Sequence, residues 1–429
     1  MGGDVGVLPK PSAIPCPATL RRVFCSAAYG SGVETDDDRS EDARPVDVGS
    51  SLTVATGQIL LYRLFDIAET VDLPAVEHEL RSALAAGNGV ARLRLHRQRD
   101  GVVFTNPPVS AGLSDRQLVV RGEECSVRVV AKIYDFGAMT IVWALTIPPG
   151  TTFDVLAGLS VELEGEQMRA DLERWMGEDA ALAVAAIHIG LESPKIQESQ
   201  ETLTIYAIRN FSDGPVSASV VAKHPALPSL LLGEQHEFSA QLREELLRSS
   251  YSYSTHDLVV IGYDQALVYD PDGTDDATSL LEFALAQVLE LAYYDGQLDE
   301  GIRRMHRELS GSRKAPTRKK TNRTYDDLRR DLLTEHLAFT DVLERVNAAV
   351  KVTEDLYYAA IYRGAMRVFR ANELADATEH KLEVMYRTYS MLSDEAEAHT
   401  SRRLEWIVIV LILIEVVYGT IDVIERLVS

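Results

Sequence analysis

Trp406-Ile407-Val408-Ile409-Val410-Leu411-Ile412-Leu413-Ile414-Glu415-Val416-Val417-Tyr418 is the stretch on which the reading of this chain turns. Arg402-Arg403-Leu404-Glu405 leads into it, and the apolar texture resumes after Glu415 as far as Ile421, before Asp422. As a helix, residues 406–421 cover about 24 Å. A bilayer core is about 30 Å thick and takes about 20 apolar residues. The run is therefore short, and Glu415 lies inside it, where an acid is costly and normally faces a partner helix. Its aliphatic density, with Trp406 and Tyr418 placed as interfacial anchors, predicts a membrane helix over 401–429. The plainer alternative is a buried core helix or a coiled-coil seam.

Working back from this run, residues 372–427 read as one long helix. Leu382, Met385, Tyr389, Leu392, Ala396 and His399 step at heptad spacing, and the register continues onto Trp406, Val410, Leu413 and Val417. Leu382, Met385, Tyr389, Leu392 and Ala396 are the expected oligomer seam, unless an antiparallel pairing with a helix over 325–352 covers it within the chain. Residues 299–400 form the helical and coiled-coil region. A basic loop over 311–322 holds Arg313, Lys314, Arg318, Lys319 and Lys320. A helix starts near Glu354 behind Thr353, a plausible N-cap. Tyr357, Tyr358 and Tyr362 share it, as core packing or as a ligand or partner surface.

Upstream the texture is α+β. Residues 58–64 are strand-like, 73–84 helical, and 90–95 alternate as a half-buried strand does. Residues 126–133 and 139–145 read as a hairpin about Tyr134-Asp135-Phe136-Gly137, followed by a helix over 153–172. A similar order recurs. It runs from a strand at 201–208 to an amphipathic segment at 235–248, a hairpin about Tyr263-Asp264-Gln265, and a helix from Thr278 that breaks at Gly296. Two α/β units, 49–190 and 191–298, are expected as tandem ferredoxin-like repeats. Residues 1–48 carry Pro9, Pro11, Pro15, Pro17 and an acidic run, and read as a disordered tail without a signal-peptide core.

Composition narrows the function. The chain of 429 residues has 43 basic and 65 acidic residues, a net charge of −22, which argues against a general nucleic-acid binder. Its three cysteines, Cys16, Cys25 and Cys125, make neither a disulfide framework nor a usual zinc site. No Walker loop, GxGxxG or HExxH occurs, so no cofactor, metal or catalytic residue is assigned. Asp270-Pro271-Asp272-Gly273-Thr274-Asp275-Asp276 is carboxylate-rich, but its glycine is misplaced for an EF-hand. A turn before a helix N-terminus is the simpler reading.

Two segments are similar to a known family. Arg403-Leu404-Glu405-Trp406 with its aliphatic run, and Leu281-Glu282-Phe283-Ala284-Leu285-Ala286-Gln287, resemble recurrent stretches of the "required for meiotic nuclear division" (RMD) family, a domain-of-unknown-function family with mitochondrial, fungal and bacterial members. Val288 stands where that family usually has serine, which implies a bacterial or divergent member. The resemblance implies a membrane-bound homo-oligomer without established catalytic residues. The body would lie on the cytoplasmic side of a bacterial inner membrane, or at a mitochondrial inner membrane.

Two functions follow as expectations. One is a non-enzymatic membrane-associated scaffold, homo-oligomeric through its C-terminal helices, with Glu415 facing a neighbouring helix. The other is a soluble metal- or ligand-binding protein or enzyme. It would use Asp135 and Asp264 at the paired hairpin turns, with Asp270 and Asp272 nearby, and its C-terminal helix would be buried core.

Overall fold

The computed structural model describes residues 52–83, 90–92, 106–120, 123–194, 196, 200–311, 337, 340 and 355–428. The tail at 1–48, the basic loop after Gly311, the 325–352 pairing and the Thr353 cap lie outside them, apart from Leu337 and Thr340. The side chains of Tyr389, Leu392, Ala396, His399, Val417 and Tyr418 lie outside them too. The described residues divide into two compact units. One lies within Met1–Tyr293 and Glu344–Glu373, the other within Tyr294–Leu343 and Leu374–Ser429.

The first unit is built on β1 (Thr53–Asp66), which pairs antiparallel with both β7 (Ala138–Thr146) and β10 (Gln200–Phe211). Outward from β7 come β6 (Glu123–Ile133), β4 (Val109–Gly112) and β3 (Val90–Arg92). Outward from β10 come β13 (Gln265–Tyr269), β12 (Leu258–Ile261) and β11 (Ser250–Tyr251). β5 (Arg116–Val120) pairs with β6, and β8 (Thr151–Thr152) with β1. A separate short pair joins β2 (Thr70–Val71) to β9 (Leu191–Glu192).

Alternation sorts the side chains of this sheet onto two faces. One face carries Ile59, Leu61, Val129, Ile141, Trp143, Tyr206, Ile208, Val260 and Leu267, all buried. It packs against α1 (Leu73–Ala83), α2 (Phe153–Leu163), α3 (Glu166–Ala186), α4 (Ala218–Ala222) and α5 (Leu227–Leu232). α6 (Ala240–Leu247) contributes no buried residue. The second face carries Tyr62, Leu64, Thr140, Val142, Leu203, Ile205, Val259, Ile261 and Val268, also buried. α7 (Asp276–Gly311) and α8 (Leu356–Val368) belong to this side: Glu282 of α7 meets Lys132 and Tyr134, and Phe283 lies 6.1 Å from Tyr362 of α8. Burial of both faces explains why β12 and β13 read as unbroken apolar runs.

The two hairpins thus share one sheet. Their neighbours differ in sense, since β7 runs antiparallel to β1 whereas β13 runs parallel to β10. A tandem ferredoxin-like repeat would repeat the same sense, and the sheet does not. Gly137 closes the first hairpin at φ 93°, and a Cβ there would sit 1.8 Å from the Ala68 carbonyl oxygen, so only glycine fits.

Local expectations are corrected in three places. The helix over 153–172 is two helices, parted at Glu164-Gly165. α7 does not break at Gly296 but runs on to Gly311. α8 is capped by Asp355, whose carboxylate accepts from the Tyr357 backbone N–H at 2.8 Å.

α9 (Ala371–Val428) is the long helix expected from the heptads. In the second unit its early turns lie beside the later turns of α7. Lys381 Nζ is 2.7 Å from both Asp295 and Asp299. Thr378 Oγ1 is 3.3 Å from Asp295. Leu382 and Met385 are buried, with Met385 over Gly301. Because Asp295 meets Thr378 and Gly301 meets Met385, the two helices run in the same direction.

Candidate functional site

The residues proposed as a membrane segment form part of α9. Every side chain from Trp406 to Val416 is exposed, between 46% and 68% for the ten apolar ones. A helix that meets its neighbours along one seam needs only a narrow apolar stripe. This one is apolar around its whole circumference, interrupted only by Glu415. Among the described residues, however, no helix is long and apolar enough to cross a membrane. The eleven residues from Trp406 to Val416 rise about 16 Å, half a bilayer core.

The seam positions are partly used inside the chain. Leu382 and Met385 are buried within the chain, Met385 against Gly301 of α7.

The aspartates of the enzyme reading do not converge. The Asp135 and Asp264 turns lie at the same end of the sheet, but β7 and β13 are three strand spacings apart, about 14 Å. That is too far for two carboxylates to share a proton or a metal ion. Asp270 lies at the opposite end of β13 from Asp264 and organises its own turn. It accepts from the backbone N–H groups of Asp272 and Thr274 at 3.0 Å each and from Thr274 Oγ1 at 2.6 Å. Asp135 accepts from Asn106 Nδ2 at 2.8 Å. Among the described residues no group of three His, Cys, Asp or Glu side chains is arranged to hold a metal ion.

The tyrosines of α8 hold that helix in the body. Tyr357 donates to Asp257 at 3.0 Å and Tyr358 to Asp276 at 3.1 Å, and Tyr362 is 1% exposed. Among the described residues these side chains pack helix α8 onto the sheet body.

Two buried polar centres were not found from the sequence. On one face of the sheet, Asp179 of α3 accepts from Arg116 Nε at 3.0 Å and from Trp143 Nε1 at 2.8 Å. Trp143 stacks on Trp175 at 6.3 Å, with the rings 9° apart. On the other face, Glu282 is 1% exposed and takes Lys132 on one oxygen and the Tyr134 hydroxyl, at 3.0 Å, on the other. Burial, and next the charge of Glu282, push the Tyr62 and Tyr134 phenols well above their ordinary range, so both stay protonated. Glu282 belongs to the Leu281–Gln287 stretch singled out for its resemblance. Its sequence signal was a lone carboxylate inside an apolar helical run, which demands a buried partner.

A sequence profile of the family described as "Uncharacterized protein MJ0711, N-terminal domain" matches residues 56–276, just over half of the chain. The chain belongs to this family. The MJ0711 N-terminal domain corresponds here to the sheet from β1 to β13 with α1–α6, and the match ends at the first residue of α7. The chain is also similar to the uncharacterized protein MJ0711 of Methanocaldococcus jannaschii, with 25% identity over 221 residues. That alignment covers 51% of this chain and 65% of the relative. No solved structure matches. Both stretches that carry the RMD resemblance, 281–287 and 403–416, lie beyond the part shared with the MJ0711 family.

Proposed function

We propose that this protein is a non-enzymatic scaffold that associates with a membrane through the end of α9 and self-associates through its C-terminal helices. The α+β body of the MJ0711 family is its cargo-bearing part, carried on the cytoplasmic side. One observation bears most of this reading: Trp406–Val416 is apolar on every side of the helix and exposed on every side. A two-helix seam covers one stripe only, whereas hydrocarbon covers the whole circumference. Arg402 and Arg403 precede the run, which favours keeping the N-terminal side on the cytoplasmic face. The resemblance to the RMD family, whose members include membrane-bound homo-oligomers, points the same way. The run is shorter than a full span, so insertion to part of the bilayer depth with the helix end at the interface suits it better than a crossing.

Fractionation of expressing cells tests the proposal. The full chain should stay with the membranes through an alkaline carbonate wash, and a chain ending at Ser401 should be released while its body stays folded. Full-length protein in the soluble fraction, with a truncated chain that unfolds, would make the run part of a core instead.

A further inference from the structure

We propose that the outer stripe of α8 and the tyrosines beside it are a docking surface for an acidic peptide segment of a partner protein. The stripe starts at Leu356, which is 83% exposed, and runs through Arg363 and Arg367 to Arg370 just past the helix end, all exposed. Positions 356, 363 and 367 share one side of the helix, because steps of about seven and eleven residues are close to whole turns. The opposite side, with Tyr358, Ile361, Tyr362 and Ala365, is buried. Tyr253 flanks the stripe at one end, its ring 5.6 Å from that of Tyr357, and Tyr263 flanks it at the other, under Arg370. All of these residues belong to the first unit.

The positive charge of the stripe is not neutralised. Several exposed arginines of this chain are held by carboxylates, Arg81 by Glu77 and Arg174 by Asp171 at 2.8 Å and Arg248 by Glu245 at 2.7 Å. Among the described residues no carboxylate pairs with Arg363, Arg367 or Arg370. Arg363 Nε donates to the Ala359 carbonyl at 3.1 Å, Arg367 Nη2 donates to the Tyr251 hydroxyl at 3.1 Å, and Arg370 lies 5.9 Å over the Tyr263 ring. Each contact leaves most of the guanidinium N–H donors open to a ligand. The backbone of Arg370 is a second observation. It follows the C-cap residue Phe369 with φ 58°, a left-handed position where glycine is usual because a Cβ is strained there. An arginine stands there despite the strain, and its side chain completes the stripe.

Charge and shape select the occupant. A carboxylate matches the planar fork of an arginine with two parallel hydrogen bonds. From Arg363 to Arg370 the chain rises about 10 Å, which suits the carboxylates of a short segment. Leu356 and Tyr253, 83% and 65% exposed, give an apolar side chain of that segment a seat at the N-terminal end of α8. A nucleic acid fits less well. Beyond both ends of the stripe the surface turns acidic, since Asp257 accepts from the Tyr357 hydroxyl at 3.0 Å and Asp264 follows Tyr263. A long polyanion would run onto these acids and meet the field of a chain of net charge −22. The rings are also engaged, Tyr263 by Arg370 and Tyr253 by Tyr357, rather than free as platforms for stacked bases.

The test is the fluorescence anisotropy of a dye-labelled peptide, two leucines followed by four glutamates, titrated with the full chain. No lipid is present, so the outcome is separate from that of the membrane reading. The peptide should bind, more weakly as salt rises, and a version with glutamines for glutamates should not. Arg363→Gln with Arg367→Gln should weaken binding by about tenfold or more, since charge-assisted bonds are lost at both positions. Arg370→Gly should weaken it several-fold yet melt no lower than the wild type, because glycine relieves the left-handed position. Wild-type protein that leaves the glutamate peptide unbound at millimolar concentration would overturn the proposal, as would binding unchanged in the double variant. A labelled oligothymidylate that binds more tightly than the peptide would also overturn it and make the stripe a nucleic-acid surface. Should the double variant fold poorly, Arg370→Gly decides alone, and unchanged peptide binding there contradicts the proposal.

Discussion

Glu282→Ala should lower the unfolding free energy of the sheet body by about 3–5 kcal/mol, because it strands one half of a buried ion pair. Glu282 is 1% exposed, and the Lys132 side chain is 14% exposed. With the carboxylate gone, Lys132 loses its ion-pair partner beneath α7. The Tyr134 hydroxyl loses its acceptor as well. Glu282→Gln keeps an acceptor for Tyr134 and should cost less. Replacing both partners, Lys132→Met with Glu282→Leu, should recover most of the loss, since two apolar side chains need no compensation. Urea titration followed by the fluorescence of the buried Trp143 and Trp175 reads the body directly. An alanine variant within about 1 kcal/mol of the wild type, the range of an exposed pair, would mean that this pair does not hold α7 to the sheet.

Asp179→Ala should have a comparable effect on the other face, again about 3–5 kcal/mol. Asp179 is 5% exposed and receives Arg116 and Trp143 together. Its loss leaves a fully buried indole N–H unsatisfied and takes the nearest carboxylate from the Arg116 guanidinium, which keeps Glu178 at 3.7 Å and the Trp175 carbonyl at 3.5 Å, and it loosens the stack of Trp143 on Trp175. Asp179→Asn retains an acceptor and should fall between alanine and wild type. Trp143→Phe removes the indole donor but keeps a ring on Trp175, and should separate packing from hydrogen bonding. Equal losses for the alanine and asparagine variants would assign the effect to the carboxylate charge, since asparagine keeps the shape.

Both residues show what could be read from the sequence and what could not. The hairpins at Tyr134–Gly137 and Tyr263–Gln265 were legible because alternation and turn chemistry are local. Their membership of one sheet was not, because β1 recruits β10 from across more than a hundred residues and nothing local encodes strand sense. The Gly296 break was misread. A helical glycine costs only about 1 kcal/mol, and burial of Leu298 and Met305 outweighs it. The apolar run around Glu282 signals that it is buried, but not with which residue, since its partner Lys132 is 150 residues distant. Leu382 and Met385 carried the correct heptad spacing, but spacing alone does not say whether the partner helix belongs to the same chain. The apolar run at Trp406–Val416 is legible in the sequence. Apolar density is a property of the sequence, but what covers it is a property of the surroundings.

The central claim is that this run meets lipid, and Trp406 reports on it. It is 68% exposed, while the other two tryptophans, Trp143 and Trp175, are buried at 0% and 4%. The measurement is the tryptophan emission of the full chain on titration with phospholipid vesicles, with Trp406→Phe as the control. The membrane reading predicts a blue shift that saturates with lipid, is quenched by lipids labelled within the acyl chains, and is absent in Trp406→Phe. Emission unchanged by lipid, from protein that is folded and dispersed, would contradict it.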